Sequence, residues 1–326
     1  MIVPEFWAEA RLQVRHKGRS VTVRRFGWSD CDLGAAQEHA QGRAQAALDR
    51  VLAGEKLPRR ELRTNYGIQG VPIREQIVER HGETVITRNS YGALCLNTPD
   101  VLFADVDFAP EPQGCVLPFA VLAGVMATGV ALGAWQGHVL IGAVLALVAL
   151  IIANLVSLHL RRYRLRSRGG PEARAMARIE AFSAAHPDWH LRVYRSPAGL
   201  RVLAMHRTFQ PDEPAVAACF HALDADVLYA TLCKVQHCFR ARLTGKPWRM
   251  GIKRRIRPTV AAWSSSQSML PERLDWIDDY ERISRDFAAC RYLAALGATD
   301  RVDPQAEKVR ALHDALTKAD SGLALA

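Results

Sequence analysis

CVLPFAVLAGVMATGVALGAWQGHVLIGAVLALVALIIANLVSLHL, residues 115–160, contains no Asp, Glu, Lys or Arg. One helix needs about 20 apolar residues to cross a hydrocarbon core about 30 Å thick. This run is roughly twice that length, and Trp135-Gln136-Gly137-His138 interrupts it near its middle. Tryptophan favours the lipid–water interface, and Gln-Gly-His suits a tight polar turn. The expectation is a transmembrane helical hairpin, with helices over Val116–Trp135 and Val139–His159. Gly129 and Gly133 form a GxxxG pair that lets two helices approach closely. They could serve the hairpin itself or a homodimer.

Charge sets the orientation. Arg161, Arg162, Arg164, Arg166 and Arg168 follow the second helix. Positive residues beside membrane helices stay on the cytoplasmic side. A hairpin returns to the side it left, so both termini are expected in the cytoplasm and the protein in the inner (cytoplasmic) membrane. The arginines also suit the anionic headgroups of a lipid bilayer.

The remainder is polar enough for soluble domains. The chain has 326 residues, 49% hydrophobic content and a net charge of +10. A basic balance fits lipid, phosphate-containing ligands or nucleic acid. Nucleic acid is the weaker reading, because only Trp248 interleaves the basic run and a stacking platform is lacking. Seven scattered cysteines argue against a disulfide framework and fit a reducing compartment. Residues 1–12 carry no secretory signal pattern.

In chain order, strands are expected around the turn at His16–Arg19, then a helix over Ala35–Leu52 capped by Ser29 or Asp32. A helix over Ile73–Arg80 is expected to start at Pro72 and stop at Gly82. Thr84–Arg88, Ala93–Asn97 and Val101–Phe108 read as strands. Beyond the Gly169-Gly170-Pro171 breaker come a helix over Glu172–Ala185, strands at His190–Arg195 and Leu200–Arg207, helices at Glu213–Leu223 and Val227–Gln236, and a strand at Phe239–Leu243. Lys246–Pro258 is irregular and basic. A long helix is expected over Pro271–Leu296 and a last one over Pro304–Ala319.

Without the hairpin, Val101 to Leu243 gives the order βαββαβ, the ferredoxin-like or RRM-like pattern. The expected fold is therefore an α/β (α+β) cytoplasmic domain with a transmembrane hairpin inserted after its first strand, plus C-terminal helices. The alternative is two small domains flanking the hairpin. The divisions are residues 1–82, 83–114, 115–160, 161–258 and 259–326.

Three constellations could carry chemistry. Asp105 and Asp107 share one strand face and could hold Mg²⁺ or Mn²⁺ with substrate phosphates. Central strands one and three would bring Arg201 or His206 near them. The bland reading is carboxylates paired with arginine on a sheet face. Arg240 and Arg242 share a face of their strand, and Lys246, Arg249, Lys253, Arg254, Arg255 and Arg257 follow. With Arg201 they form a candidate anionic-ligand site, since the planar guanidinium can bind two phosphate oxygens. A contact with headgroups, or a solvated loop, explains the same residues. Cys219, His221, Cys233, His237 and Cys238 are metal-ligand types whose spacing fits no usual zinc pattern. There is no Gly-x-Ser-x-Gly elbow and no Walker or Rossmann loop.

Ala104-Asp105-Val106-Asp107, together with Ser196 to Arg201 and His206, resembles the core of archaeo-eukaryotic primase-polymerases. That resemblance implies catalytic roles for Asp105, Asp107 and His206 in a metal-dependent, nucleotidyl-transfer-like enzyme. It covers about a third of the chain. The Gly-x-His spacing differs, and no third carboxylate follows. Arg88–Gly92, Leu102–Phe108 and Cys238–Leu243 resemble segments of bacterial membrane proteins with two spans and cytoplasmic flanks, a likeness that carries no activity. The leading expectation is a two-span anchor whose basic domain binds a partner or anionic ligand.

Overall fold

A computed structural model describes residues 3–62, 71–108, 117–167, 169–259 and 262–326, without the side chains of Arg162, Leu165 and Arg166. Helices and strands are mixed, and the strands form several sheets. The chain divides into two compact units, Met1–Val106 with Ala181–Ala326, and Asp107–Glu180.

The larger unit opens with a hairpin of β1 (Phe6–His16) and β2 (Arg19–Ser29). Helix α1 (Leu33–Leu52) follows, capped by Asp32, whose carboxylate accepts from the Ala35 N–H at 2.7 Å. Its buried face is Ala36, Ala40, Ala44, Ala47 and Leu48. Small residues are needed there because α1 lies directly on β2: a Cβ on Gly27 would collide with the Ala36 carbonyl and the Ala40 backbone.

The expected helix at Ile73–Arg80 is instead a strand, β3 (Gln76–His81), paired antiparallel with β4 (Thr84–Arg88). Gly82 is not a helix stop. It takes φ +61° at the first central position of a two-residue hairpin loop, where glycine is favoured. The boundary drawn at 82/83 therefore falls inside one turn. β5 (Leu94–Thr98) follows β4, and β6 (Phe103–Asp107) leads out of the unit.

After helix α4 (Gly170–Ala185) come β7 (His190–Ser196), β8 (Gly199–Ala204), α5 (Pro214–Leu223), α6 (Val227–Gln236) and β9 (Phe239–Arg242). The order β7-β8-β6 places the first and third strands of the expected βαββαβ series side by side. The fourth strand departs from it. β9 pairs with β5, closing a second sheet of order β3-β4-β5-β9. The two sheets meet at a seam between β6 and β9. The Tyr229 hydroxyl sits there, 2.9 Å from the Phe103 carbonyl and 3.1 Å from the Arg240 carbonyl. Arg201 reaches across the same gap to donate to the Arg242 carbonyl at 2.9 Å. Side chains thus join backbones that do not form a ladder.

The expected helix over Pro271–Leu296 ends early. α7 covers Pro271–Ser284, and β10 (Phe287–Ala288) and β11 (Arg291–Gly297) follow. The Ala- and Leu-rich β11 has helical propensity, but the open edge of β7 captures it. Tyr292 pairs with Tyr194, and the Arg192 guanidinium lies 4.1 Å from the Tyr292 ring centroid. Such cross-strand pairs override intrinsic preference. α8 (Pro304–Thr317) is capped by Asp303, and β12 (Ala324–Leu325) runs parallel to β10.

The smaller unit holds α2 (Phe119–Trp135) and α3 (Val139–Ser167). Gly137 at φ +78° makes the turn between them. The two helices approach closely: a Cβ on Gly129 would strike Ala146, and one on Gly142 would strike the Gly129 carbonyl and Gly133. Among the described residues one helical segment, Val139–Arg161, is long and apolar enough to cross a membrane, with mean hydropathy 2.9 over its most apolar window. α2 is apolar but has 17 residues, and 109–116 before it lie outside the described residues. α3 runs past the expected end at His159 and carries Arg161, Arg162, Arg164 and Arg166 on its last turns, whereas Arg168 lies outside the described residues.

Candidate functional site

Of the two carboxylates expected to hold metal, Asp107 is exposed at the end of β6 and Asp105 is engaged by arginine. Asp105 accepts from Arg201 twice, Nε at 2.8 Å and Nη2 at 3.2 Å. Arg201 is 4% exposed, and its third nitrogen meets the Arg242 carbonyl and His313 Nε2 at 3.3 Å. Burial opposes the guanidinium charge, and Asp105 more than offsets it. His313 Nδ1 lies 2.9 Å from Asp314. One neutral tautomer satisfies both contacts, with Nδ1–H donating to Asp314 and Nε2 accepting from Arg201. Asp314 also accepts from Arg192 and Arg310. Among the described residues no three His, Cys, Asp or Glu side chains converge on a metal position.

His206 faces elsewhere. Its ring packs on Trp189 at 4.7 Å and Phe209 at 5.4 Å, and its Nδ1 lies 3.4 Å from the His190 backbone nitrogen. Burial, then Arg207, depress its imidazole to about 4. His313 is likewise held below its ordinary value, first by burial. Both groups bind protons more readily unfolded than folded; the contribution of His206 is complete above about pH 6.5 and is lost as pH falls toward 4, and that of His313 is lost in the same direction. The urea midpoint should therefore drop between pH 7 and pH 4.5, and His206→Phe should flatten that slope. An unaltered slope in this variant would remove His206 from the account.

Arg240 and Arg242 of the expected anion site are also spoken for. Arg240 grips Glu75 with contacts of 2.7 and 2.9 Å and donates to Asn97 Oδ1 at 2.9 Å. Arg242 donates to the Thr244 and Ala326 carbonyls. Of the Cys/His group, Cys219, Cys233 and Cys238 are buried while His221 and His237 are exposed, so the group does not converge. Burial pushes the Cys219 and Cys238 thiols up to about 12, as for small core residues.

The basic surface lies one loop later. The turn between β4 and β5 is built by Asn89, whose Oδ1 accepts from the Tyr91 and Ala93 N–H groups at 3.1 Å. Gly92 at φ +95° allows it to rest on the Trp276 ring, where a Cβ would collide. This turn presents Tyr91. After β9, Thr244 Oγ1 accepts from the Leu94 N–H at 2.9 Å, and the Tyr280 hydroxyl donates to the Gly245 carbonyl at 2.7 Å. A short 3₁₀ turn, Pro247–Arg249, then presents Trp248. Tyr91 and Trp248 meet edge to face at 5.3 Å, and Lys246 Nζ lies 5.6 Å from the Trp248 ring.

Between them and the next loop is a cleft of about 880 Å³, lined by Tyr91, Trp248, Ile252, Lys253, Arg254 and Arg255 among others. That volume suits a small-molecule site. The Trp276 indole N–H donates to the Arg254 carbonyl at 3.0 Å, which pins the basic loop, and the Arg254 side chain pairs with Asp279. Lys253 and Arg255 are exposed and form no ion pair among the described residues. Burial pushes the Tyr91 hydroxyl up to about 12, so it remains a neutral hydrogen-bonding phenol. Lys253, Arg254 and Arg255 stand out in the sequence as part of the basic run. Tyr91 does not, because its turn is 157 residues from Trp248 in the chain. Comparison with protein-family models, curated proteins and solved structures finds no match to this chain.

Proposed function

We propose that this chain is a membrane-anchored α/β protein whose basic face binds a phosphate-bearing ligand with a flat or apolar portion in the Tyr91–Trp248 cleft. The observation that carries this reading is one wall of aromatic side chains facing a loop with two cations, Lys253 and Arg255, that no carboxylate among the described residues engages. The rings take the apolar part by stacking, and the cations take the phosphate. The anchor reading rests on Val139–Arg161 and on its outward Leu140, Ile151, Ile152 and Leu155, each more than half exposed. An exposed apolar surface of that extent marks a lipid or protein contact. Two spans with both termini cytoplasmic follow if α2 crosses beside α3, and their close packing through Gly129 and Gly142 supports a paired crossing. The α/β unit is read as a βαββαβ arrangement opened at the β6–β9 seam.

Calorimetric titration of the detergent-solubilised chain with nucleoside phosphates and short-chain anionic phospholipids tests the ligand. Trp248→Ala and the double variant Lys253→Ala/Arg255→Ala are each expected to weaken the best binder at least about tenfold, or ~1.4 kcal/mol. Affinity unchanged in both variants, or no binder in either class, would sink the proposal.

A further inference from the structure

A second, smaller pocket lies on the other side of Ser90, walled by Arg88, Arg273, Gln76, Asn89, Trp263 and Gln267 among others. Its volume is about 20 Å³, room for one oxygen-sized group, and it opens to solvent, so an anion can seat one oxygen there while its remainder stays outside. Two guanidiniums border it, and both are almost fully buried: Arg88 is 4% exposed and Arg273 is 5% exposed.

The two differ in how they are satisfied. Arg88 donates to Glu281 at 2.5 Å and to the Gly92 carbonyl at 3.0 Å. Arg273 has no carboxylate partner among the described residues. It donates from Nη2 to Gln76 Oε1 at 2.6 Å, and its guanidinium lies 4.7 Å from the Trp263 ring centroid. Its buried Nε has no partner, and neither has the buried Nε of Arg88. The one carboxylate on the pocket wall, Glu75, is neutralised by Arg240 and accepts from Thr87 Oγ1 at 2.7 Å. Arg273 therefore holds a positive charge in a largely buried place with its Nε–H unpaired and no carboxylate against it among the described residues.

Arginine cannot relieve this by losing its proton. Burial and the neighbouring Arg88 lower it only to about 10. Arg273 also sits in the first turn of α7, whose N-terminus has no side-chain cap and adds positive potential of its own. An isolated buried charge is costly unless paired.

We propose that this pocket binds an oxyanion, the carboxylate or phosphoryl end of a small ligand, on Arg273 with Arg88 behind it. The site is separate from the Tyr91–Trp248 cleft and does not depend on that reading.

The test is thermal unfolding of the full chain in detergent, in buffer free of phosphate, sulfate, chloride and carboxylates. Inorganic phosphate and acetate are then added in separate arms. Wild type should gain about 5 °C at a hundredfold excess over Kd in at least one arm, and the arm that responds identifies the group. Arg273→Met should lose the gain. Arg273→Lys keeps the charge and guards against a folding failure, and it should bind the responding anion at least about tenfold more weakly because the planar fork is gone. Trp248→Ala should respond like wild type. No gain in either arm, or equal gains in wild type and Arg273→Lys, overturns the site. So does a gain abolished by Trp248→Ala but kept in Arg273→Lys, which would place the anion in the larger cleft.

Discussion

Glu75→Ala is expected to cost the folded state about 3–5 kcal/mol, the range for breaking a buried ion pair by removing one partner. The Glu75 side chain is 4% exposed and that of Arg240 is 12% exposed. The pair does not stand alone: Thr87 donates to Glu75, Arg240 donates to Asn97, and the Asn97 amide donates to Thr87 Oγ1 at 3.0 Å and to the Val85 carbonyl at 2.9 Å. Alanine would leave the guanidinium buried opposite nothing and the Thr87 hydroxyl without its acceptor. Glu75→Gln keeps an acceptor for Thr87 and should cost about 1.5–3 kcal/mol, the worth of a charged hydrogen bond. Glu75→Leu with Arg240→Met removes both charges and should recover most of the loss. Urea denaturation at pH 7 reads all three. A Glu75→Ala cost below about 1 kcal/mol would mean that water reaches the pair and that Arg240 is free to serve a ligand after all.

The same measurement separates the two readings of Asp105. Its side chain is 36% exposed, so it is less committed than Glu75 although Arg201 holds both of its oxygens. Asp105→Asn should cost about 1–2 kcal/mol, because Arg201 keeps an oxygen acceptor there and its contacts to Arg242 and His313.

What the sequence made legible followed from local rules. The β1–β2 hairpin, the Asp32 cap on α1, the strands β4, β5, β7, β8 and β9, and the break at residues 135–138 all carry a turn or cap that needs no tertiary context. The failures lie where a distant strand decided the outcome. Gln76–His81 is a strand because β4 returns against it, and Arg291–Gly297 is a strand because β7 offers an edge 95 residues earlier. The arginines of the candidate site likewise meet partners that are distant in the chain. Arg201, Arg240 and Arg242 look like ligand residues in the sequence, but Asp105, Glu75 and two carbonyls reach them first. No spacing rule links Glu75 to Arg240 or Arg273 to Arg88. The basic loop after β9 was visible, and its aromatic partner was not.

Excising residues 109–168 and bridging the gap with a flexible Gly-Ser linker should move the protein from the membrane to the soluble fraction while leaving the larger unit folded. Val139–Arg161 supplies the apolar length for a span, and at roughly 0.3–0.6 kcal/mol per Leu, Ile, Phe or Val such a segment holds the chain in a bilayer many times over. The ladders of the larger unit, in turn, do not need the excised residues: β6 is retained beside β8, α4 remains whole, and β9 keeps its pairing with β5. A flexible linker costs little, since loop-closure entropy grows only with the logarithm of length. The excised protein should sediment as a soluble species and unfold cooperatively, and Glu75→Ala should destabilise it as much as it does the full chain. Retention in the membrane pellet would place the anchor outside residues 109–168. A soluble but non-cooperative product would mean that the larger unit depends on the helices after all. If the protein is soluble and folded, the anion that raises the melting temperature of the full chain should still do so through Arg273, because every residue named in that pocket remains.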